Sequence, residues 1–152
     1  MPGGVFFESY FLSLLLKKLF INFLKRTIMA VKFFKCNHCG NVIIKVVDSN
    51  VPVFCCGEGM AELVANTEEA SVEKHLPVVT KLDDCSIKVE VGSVPHPMLP
   101  EHHIAFIYVE TETGGMRVDL NEKPEATICT CTSKPIAVYE YCNLHGLWKT
   151  EL

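Results

Sequence analysis

The segment Glu140-Tyr141-Cys142-Asn143-Leu144-His145-Gly146 constrains this chain more than any other. Two residues separate Cys142 from His145, so a thiolate and an imidazole can reach one metal ion from a single turn. Three more histidines, His75, His96 and His102, lie upstream in segments that read as loops between strands. Five such donors around one ion make a mixed nitrogen–sulfur site, which suits iron, zinc or copper and excludes magnesium and calcium. A lone Cys-x-x-His arises easily by chance, and its meaning here comes from the company of the other three.

A second set of cysteines stands near the start. Cys36 and Cys39 flank Asn37-His38 and are followed by Gly40, and the adjacent pair Cys55-Cys56 comes after fifteen intervening residues. A Cys-x-x-Cys turn offers two thiolates from one knuckle, whereas neighbouring cysteines must splay to share an ion. A four-thiolate site for zinc or a single iron is the natural reading. His38, inside the knuckle, reads as a solvent-facing bystander.

Eight cysteines in 152 residues would suggest disulfides in a secreted chain. The close pairing suits metal binding better, and no convincing secretion signal is present. Hydrophobic residues make up 49% of the chain, enough for one ordinary core or two small ones. The formal net charge of -4 argues against a nucleic-acid surface.

Residues 1–28 differ in character from the remainder of the chain. They are rich in Phe and Leu, yet Lys17, Lys18, Lys25 and Arg26 fall within or after the apolar stretch rather than before it, unlike a signal peptide. The uncharged run from Ser9 to Leu16 is too short to span a bilayer. A membrane-surface helix, a degenerate targeting segment and a natural start at Met29 all fit. The start at Met29 is preferred, because Met29-Ala30-Val31-Lys32 opens directly onto the first motif and Lys25-Arg26 matches purine-rich codons of a ribosome-binding site. The segment carries four positive charges and one negative, so a chain starting at Met29 would have net charge -7.

The rest reads as strands. Val42–Val47 is one, and Asp48-Ser49-Asn50 turns the chain. Ala61–Val72 reads as a connector, with the domain boundary between residues 65 and 66. Cys85, Ile87, Val89 and Val91 alternate with Ser86, Lys88 and Glu90, which predicts a half-buried strand with Cys85 as a small core side chain. Pro95 and Pro97 stiffen the backbone around His96. Ile104–Val109, Met116–Leu120, Ala126–Thr132 and Ile136–Tyr141 come next, with Thr113-Gly114-Gly115 as a hairpin turn. Cys129 and Cys131 should share one strand face, and Trp148 belongs to a core. Short strands without helical interruption predict an all-β sandwich.

From Met29 to Leu152 the chain resembles the desulfoferrodoxins, two-iron superoxide reductases. The resemblance rests on the ordered motifs Cys36-x2-Cys39-x15-Cys55-Cys56, Glu73-Lys74-His75-x-Pro77, His96-Pro97-Met98 with a histidine six positions on, and Cys142-Asn143-x-His145-Gly146. It implies a small desulforedoxin-like Fe(Cys)4 domain over 29–65 and an immunoglobulin-like β-sandwich over 66–152. It also implies a second iron held by His75, His96, His102 and His145, with the Cys142 thiolate on the axis. The expected activity is one-electron reduction of superoxide to hydrogen peroxide at a ferrous site with one position open to substrate. Lys74 would draw in the anion and Glu73 would supply a carboxylate for the open position once the iron is ferric. Rubredoxin or a similar small donor, a homodimer and the cytoplasm of an anaerobe or microaerophile are implied as well. One departure is Leu99-Pro100, where the family usually has acidic residues, and His103 beside His102 leaves the third imidazole open to a shift by one. Asn143 is expected to shape the thiolate loop through amide hydrogen bonds. Two rival readings stand beside the enzyme: a non-catalytic iron electron carrier and a zinc-bound structural module.

Overall fold

The computed structural model describes residues 31–68 and 70–152. The readings made for residues 1–28 lie outside the described residues. Lys32–Leu152 forms one compact unit.

Two small sheets carry the four clustered cysteines. Strands β1 (Phe33–Lys35), β2 (Val42–Ile44) and β5 (Ala61–Leu63) form one sheet in the order β2-β1-β5. β3 (Phe54–Cys55) and β4 (Glu58–Gly59) form a hairpin. The second strand stops at Ile44, short of the predicted Val47, because the chain turns to place Asp48 between Lys45 (2.9 Å) and Lys32 (3.4 Å). The connector expected over Ala61–Val72 instead opens with β5, antiparallel to β1. Ala61, Glu62 and Leu63 carry no strong alternation, and the open edge of β1 recruits them.

A seven-stranded sandwich follows a single helical turn, α1 (Val72–His75). One sheet has the order β10-β7-β6, from β6 (Pro77–Lys81), β7 (Ser86–Val91) and β10 (Glu125–Cys129). The other has the order β12-β11-β8-β9, from β8 (Ile104–Thr111), β9 (Gly114–Asp119), β11 (Pro135–Cys142) and β12 (Gly146–Glu151). All pairings are antiparallel. The core lies between the sheets and contains Ile87, Val89 and Val91 of β7, Ile104, Ile107 and Val109 of β8, and Val138 and Cys142 of β11. The alternation read in β7 is the observed burial pattern. Cys85 departs from its expected place: it precedes β7, in the turn capped by Asp83, and is exposed.

β11 is buried from Ala137 to Cys142 without alternation, because both faces of its sheet are covered. The inner face meets the sandwich core. On the outer face Phe33 packs on Phe106, Tyr108 and Tyr139 at ring-centroid distances of 6.1, 5.5 and 5.3 Å. Phe33 is 1% exposed, and its burial contributes about 2 kcal/mol. Asn66 ties the connecting segment to β12, donating to the Lys149 carbonyl (3.1 Å) and accepting from its N–H (2.8 Å).

Glu140 is the exception in this core. It is fully buried, and neither carboxyl oxygen has a partner among the described residues. Burial pushes its pKa from 4.5 up to about 9. The folded protein therefore holds a neutral acid, while the unfolded chain ionises near the ordinary value. Folding loses stability from this group as pH rises from the unfolded pKa toward the folded one, and the loss levels off above about 9. Glu140→Gln removes the linkage. Denaturant midpoints of the metal-loaded proteins should diverge in favour of the variant between about pH 6 and pH 9, and parallel curves would show that Glu140 is ionised in the fold.

Candidate metal centres

The donor atoms of His75, His96, His102, Cys142 and His145 all lie within 4.8 Å of one another. Each arrives from a different local device. α1 is a single turn because Pro77 forces Leu76 to an extended backbone (ψ 121°). Within that turn the His75 ring Nδ1 lies 2.8 Å from the Ser71 carbonyl. The His96 ring Nδ1 lies 2.7 Å from the Pro97 carbonyl. A carbonyl only accepts, so both rings carry their proton on Nδ1 and turn an Nε2 lone pair inward. His102 Nε2 is buried without a partner among the described residues. Cys142 stands where the β11–β8 register slips, between Tyr141 and Cys142, and such a bulge re-aims a side chain. His145, in the turn between β11 and β12, presents Nδ1, 3.0 Å from His75 Nε2.

The four rings close a square in the order His75, His96, His102, His145. Successive centroids are 4.8, 4.5, 4.8 and 4.8 Å apart, with rings nearly perpendicular to their neighbours. Cys142 Sγ is 3.7 Å from His96 Nε2 and 3.6 Å from His145 Nδ1, two opposite corners. That is the position of a sulfur on the axis of the square. Trp148 stacks on His75 at 5.0 Å and donates to the His145 carbonyl at 3.0 Å. It is thus a core residue that also braces two members of the site, a role its sequence position did not signal.

The charges fit a cation. Burial lowers the pKa of His75 and His102 and takes that of His96 down to about 4, so their lone pairs are free at neutral pH. Burial raises that of Cys142, opposed by the N–H groups of His145 and Leu144. Lone pairs and a sulfur facing one another in a buried space repel unless a metal ion lies between them. The nitrogen-rich, single-thiolate donor set suits iron.

His103 points elsewhere, its ring 3.0 Å from the Leu99 carbonyl. Asn143 clips the two loops together: its side chain accepts from His103 N–H (2.9 Å) and donates to the Glu101 carbonyl (2.9 Å). It therefore shapes the His102 loop as well as its own. Gly92, with φ +76°, lies under α1, where an added Cβ would meet the Glu73 carbonyl at 2.6 Å and Lys74 Cα at 2.7 Å. Glu73 and Lys74 are exposed on that turn. The Glu73 carboxyl is held low by its own N–H and the Ser71 hydroxyl. Among the described residues no ion pair engages Lys74.

Cys36, Cys39, Cys55 and Cys56 form the second group, also within 4.8 Å. Cys39 and Cys55 sulfurs are 3.6 Å apart, and Cys55 and Cys56 are 3.9 Å apart. The neighbouring pair splays because Cys56 takes a left-handed backbone, φ 53°. The Cys39 N–H leads in lowering Cys36 to about 6, while hydrogen bonding with Cys39 leads in pushing Cys56 up to about 12. Four thiolates cannot ionise together at this range without a cation, so the set fits a single iron or zinc. Cys39 and Cys56 are exposed, as is His38.

The desulfoferrodoxin family profile matches residues 67–151. The desulfoferrodoxin of Syntrophotalea carbinolica is 42% identical over 123 residues, 80% of this chain and 96% of that protein. The desulfoferrodoxin of Nitratidesulfovibrio vulgaris is 38% identical, covering 79% of this chain and 95% of its own length. Among solved structures, the superoxide reductase of Treponema pallidum superposes with a TM-score of 0.66 at 34% identity, covering 80% of this chain and 98% of that one.

Two sets of substitutions test this geometry. Gly92→Ala should push α1 and His75 off the square and weaken metal binding there about 10- to 100-fold, as loss of outer support does elsewhere, with the four-cysteine group unaffected. Chelator competition followed by metal analysis reads both centres. His102→Ala should lose the metal of the five-donor centre and His103→Ala should keep it, and the reverse would shift the third imidazole by one residue.

Proposed function

The chain belongs to the desulfoferrodoxin family, and from that premise we propose that it is a superoxide reductase, converting superoxide to hydrogen peroxide. The single observation that carries this reading is the square of four imidazoles with one buried sulfur on its axis. Iron suits both groups, as Fe(His)4(Cys) at His75, His96, His102, His145 and Cys142 and as Fe(Cys)4 at Cys36, Cys39, Cys55 and Cys56. When bound in the five-donor group, ferrous iron supplies the electron, and the thiolate raises its electron density.

The protein's own residues do the rest. Superoxide takes up one electron and two protons on its way to hydrogen peroxide, and it arrives as an anion. The chain is acidic overall, so long-range attraction is unfavourable and a local positive charge must focus the substrate. Lys74 supplies it, on the turn that holds His75, with an electrostatic effect that reaches both His75 and His102. Glu73, the ionised neighbour, would offer a carboxylate to an iron held there once that iron had given up its electron. His75, His96 and Cys142 are buried, which shields those three members of the site from solvent.

Turnover would need an electron from outside, and a small donor of the rubredoxin kind would approach the four-cysteine group at exposed Cys39 and Cys56. Residues 29–65 would then act as the iron domain near the donor and 66–152 as the reductase domain. The apolar side chains Val46, Val47 and Phe54 are 95%, 81% and 70% exposed, which favours a homodimer that covers them. Exposed free thiols favour a reducing cytoplasm. Among the described residues no helix is long and apolar enough to cross a membrane.

Lys74→Ala should slow the second-order reaction with superoxide by about tenfold or more. Added salt should slow the parent and slow the variant less, since screening weakens only a charge-driven encounter. Pulse-radiolysis rates at two ionic strengths check this, and equal rates for both proteins at both would remove the steering role. Cys39→Ser should abolish the four-thiolate visible bands while single-turnover superoxide reduction stays near the parent rate. Zinc in both centres of natively purified protein would overturn the enzyme reading altogether.

A further inference from the structure

Three cysteines belong to neither centre. Cys85, Cys129 and Cys131 are free and exposed, and they gather at one end of the β10–β7–β6 sheet. β10 pairs Cys129 with Ser86, the first residue of β7, whereas Val91, the last, pairs with Pro77 beside His75. Five strand steps separate the ends, about 17 Å, so this group lies well away from the five-donor centre.

The local geometry is fixed by hydrogen bonds. Cys85 N–H donates to Asp83 Oδ1 (2.7 Å) and the Ser86 hydroxyl to Asp83 Oδ2 (2.6 Å), which sets the turn. The Cys85 carbonyl then accepts from Thr130 N–H at 2.7 Å and from the Cys131 thiol at 3.6 Å. Thr130 turns inward and is buried, so Cys129 and Cys131 both face solvent. Their sulfurs are 3.2 Å apart. Cys131 also lines a cleft of about 630 Å³ with Lys81, Asp84 and Lys134.

We propose that Cys129 and Cys131 form a redox-active dithiol that hydrogen peroxide converts to an intramolecular disulfide. Only the source of the peroxide rests on the function proposed above. The pair is asymmetric in the way this chemistry needs. Hydrogen bonding from the Cys131 N–H, and next the contact between the two sulfurs, lowers the pKa of Cys129. Hydrogen bonding with Cys85 and Cys129 pushes Cys131 up to about 12. Cys129 is thus the nucleophile, and Cys131 keeps its proton.

In the first step the Cys129 thiolate attacks one peroxide oxygen. An S–O bond forms, the O–O bond breaks, and the departing hydroxide takes a proton to leave as water, giving a sulfenic acid. In the second step Cys131 sulfur attacks Cys129 sulfur. The S–S bond forms, the S–O bond breaks, and hydroxide leaves with the Cys131 proton as a second water. The two sulfurs give up two electrons and the peroxide takes them. An external dithiol restores the pair by exchange.

The test uses the full chain with both irons, hydrogen peroxide added directly, alkylation, digestion and mass spectrometry. In the parent, the peptide containing residues 129–131 should become two hydrogens lighter and resist alkylation until a dithiol is added. Cys129 should be consumed at least about tenfold faster than Cys85 in the same molecule. In Cys131→Ser, dimedone should label Cys129. Oxidation of Cys129 and Cys85 at equal rates, pairing of Cys131 with Cys85, or full alkylation of all three after peroxide would each overturn the proposal. A variant with both Cys129→Ser and Cys131→Ser should retain the parent rate with superoxide, and a lost rate would show that the pair is not separate from the iron chemistry. Because peroxide is supplied, disulfide formation in a protein inert to superoxide would sink the function proposed above and leave this inference standing.

Discussion

Four imidazoles and one sulfur share a space in which every donor lies within 4.8 Å of every other. That crowding is the constraint to which the rest of the fold answers. The Ser71 and Pro97 carbonyls hold the outer nitrogens of His75 and His96, so the inner nitrogens carry lone pairs, and lone pairs repel. The arrangement has to be stiff, and its stiffness comes from three sources: a helical turn seated on Gly92, a bulge at Cys142, and the Asn143 clip between two loops. All three lie at one end of the sandwich, where β6 begins, β7 ends, β8 begins and β11 ends.

Burial decides what each sulfur can do. Cys142 sits in the core, where burial suppresses its acidity and a nearby cation would favour its thiolate. Of the cysteines at 36, 39, 55 and 56, Cys36 is buried, Cys55 half-buried and the other two exposed, and their mutual repulsion makes a cation equally necessary. Access differs, though: the Cys142 sulfur is closed off from solvent, while Cys39 and Cys56 are open to it. Cys129 and Cys131 are exposed as well, and their sulfurs meet at 3.2 Å, with the Cys131 thiol also donating to the Cys85 carbonyl. Two sulfurs at that distance favour a bond with each other over a shared ion.

Residues of β11 show how packing overrides pattern. Tyr139 and Tyr141 face outward from the sandwich yet are buried, because Phe33 and its sheet cover that face. The segment reads as a strand from its composition, but its uniform burial comes from a partner about a hundred residues earlier in the chain. Glu140 obeys the same logic at a cost, an acid kept neutral between two covered faces.

The motifs carried much of the site. Cys-x-x-His, the three upstream histidines and the two cysteine pairs named the nine donor residues, since donor chemistry and short spacing are properties of the chain itself. The alternation of β7 and the stiff proline-flanked histidine loop were legible for the same local reason. What the chain could not state alone was anything set by a distant partner. β5 exists because β1 has an open edge, Cys85 is exposed because Asp83 caps its turn, and Trp148 meets His75 only when β12 folds back beside α1. The choice of His102 over its neighbour, the square of rings and the 3.2 Å meeting of Cys129 with Cys131 belong to the tertiary structure too. Sequence determines which donors are present and how far each can reach, and only the packing of two sheets decides which of them converge, because convergence depends on strand register and turn geometry summed over the whole sandwich.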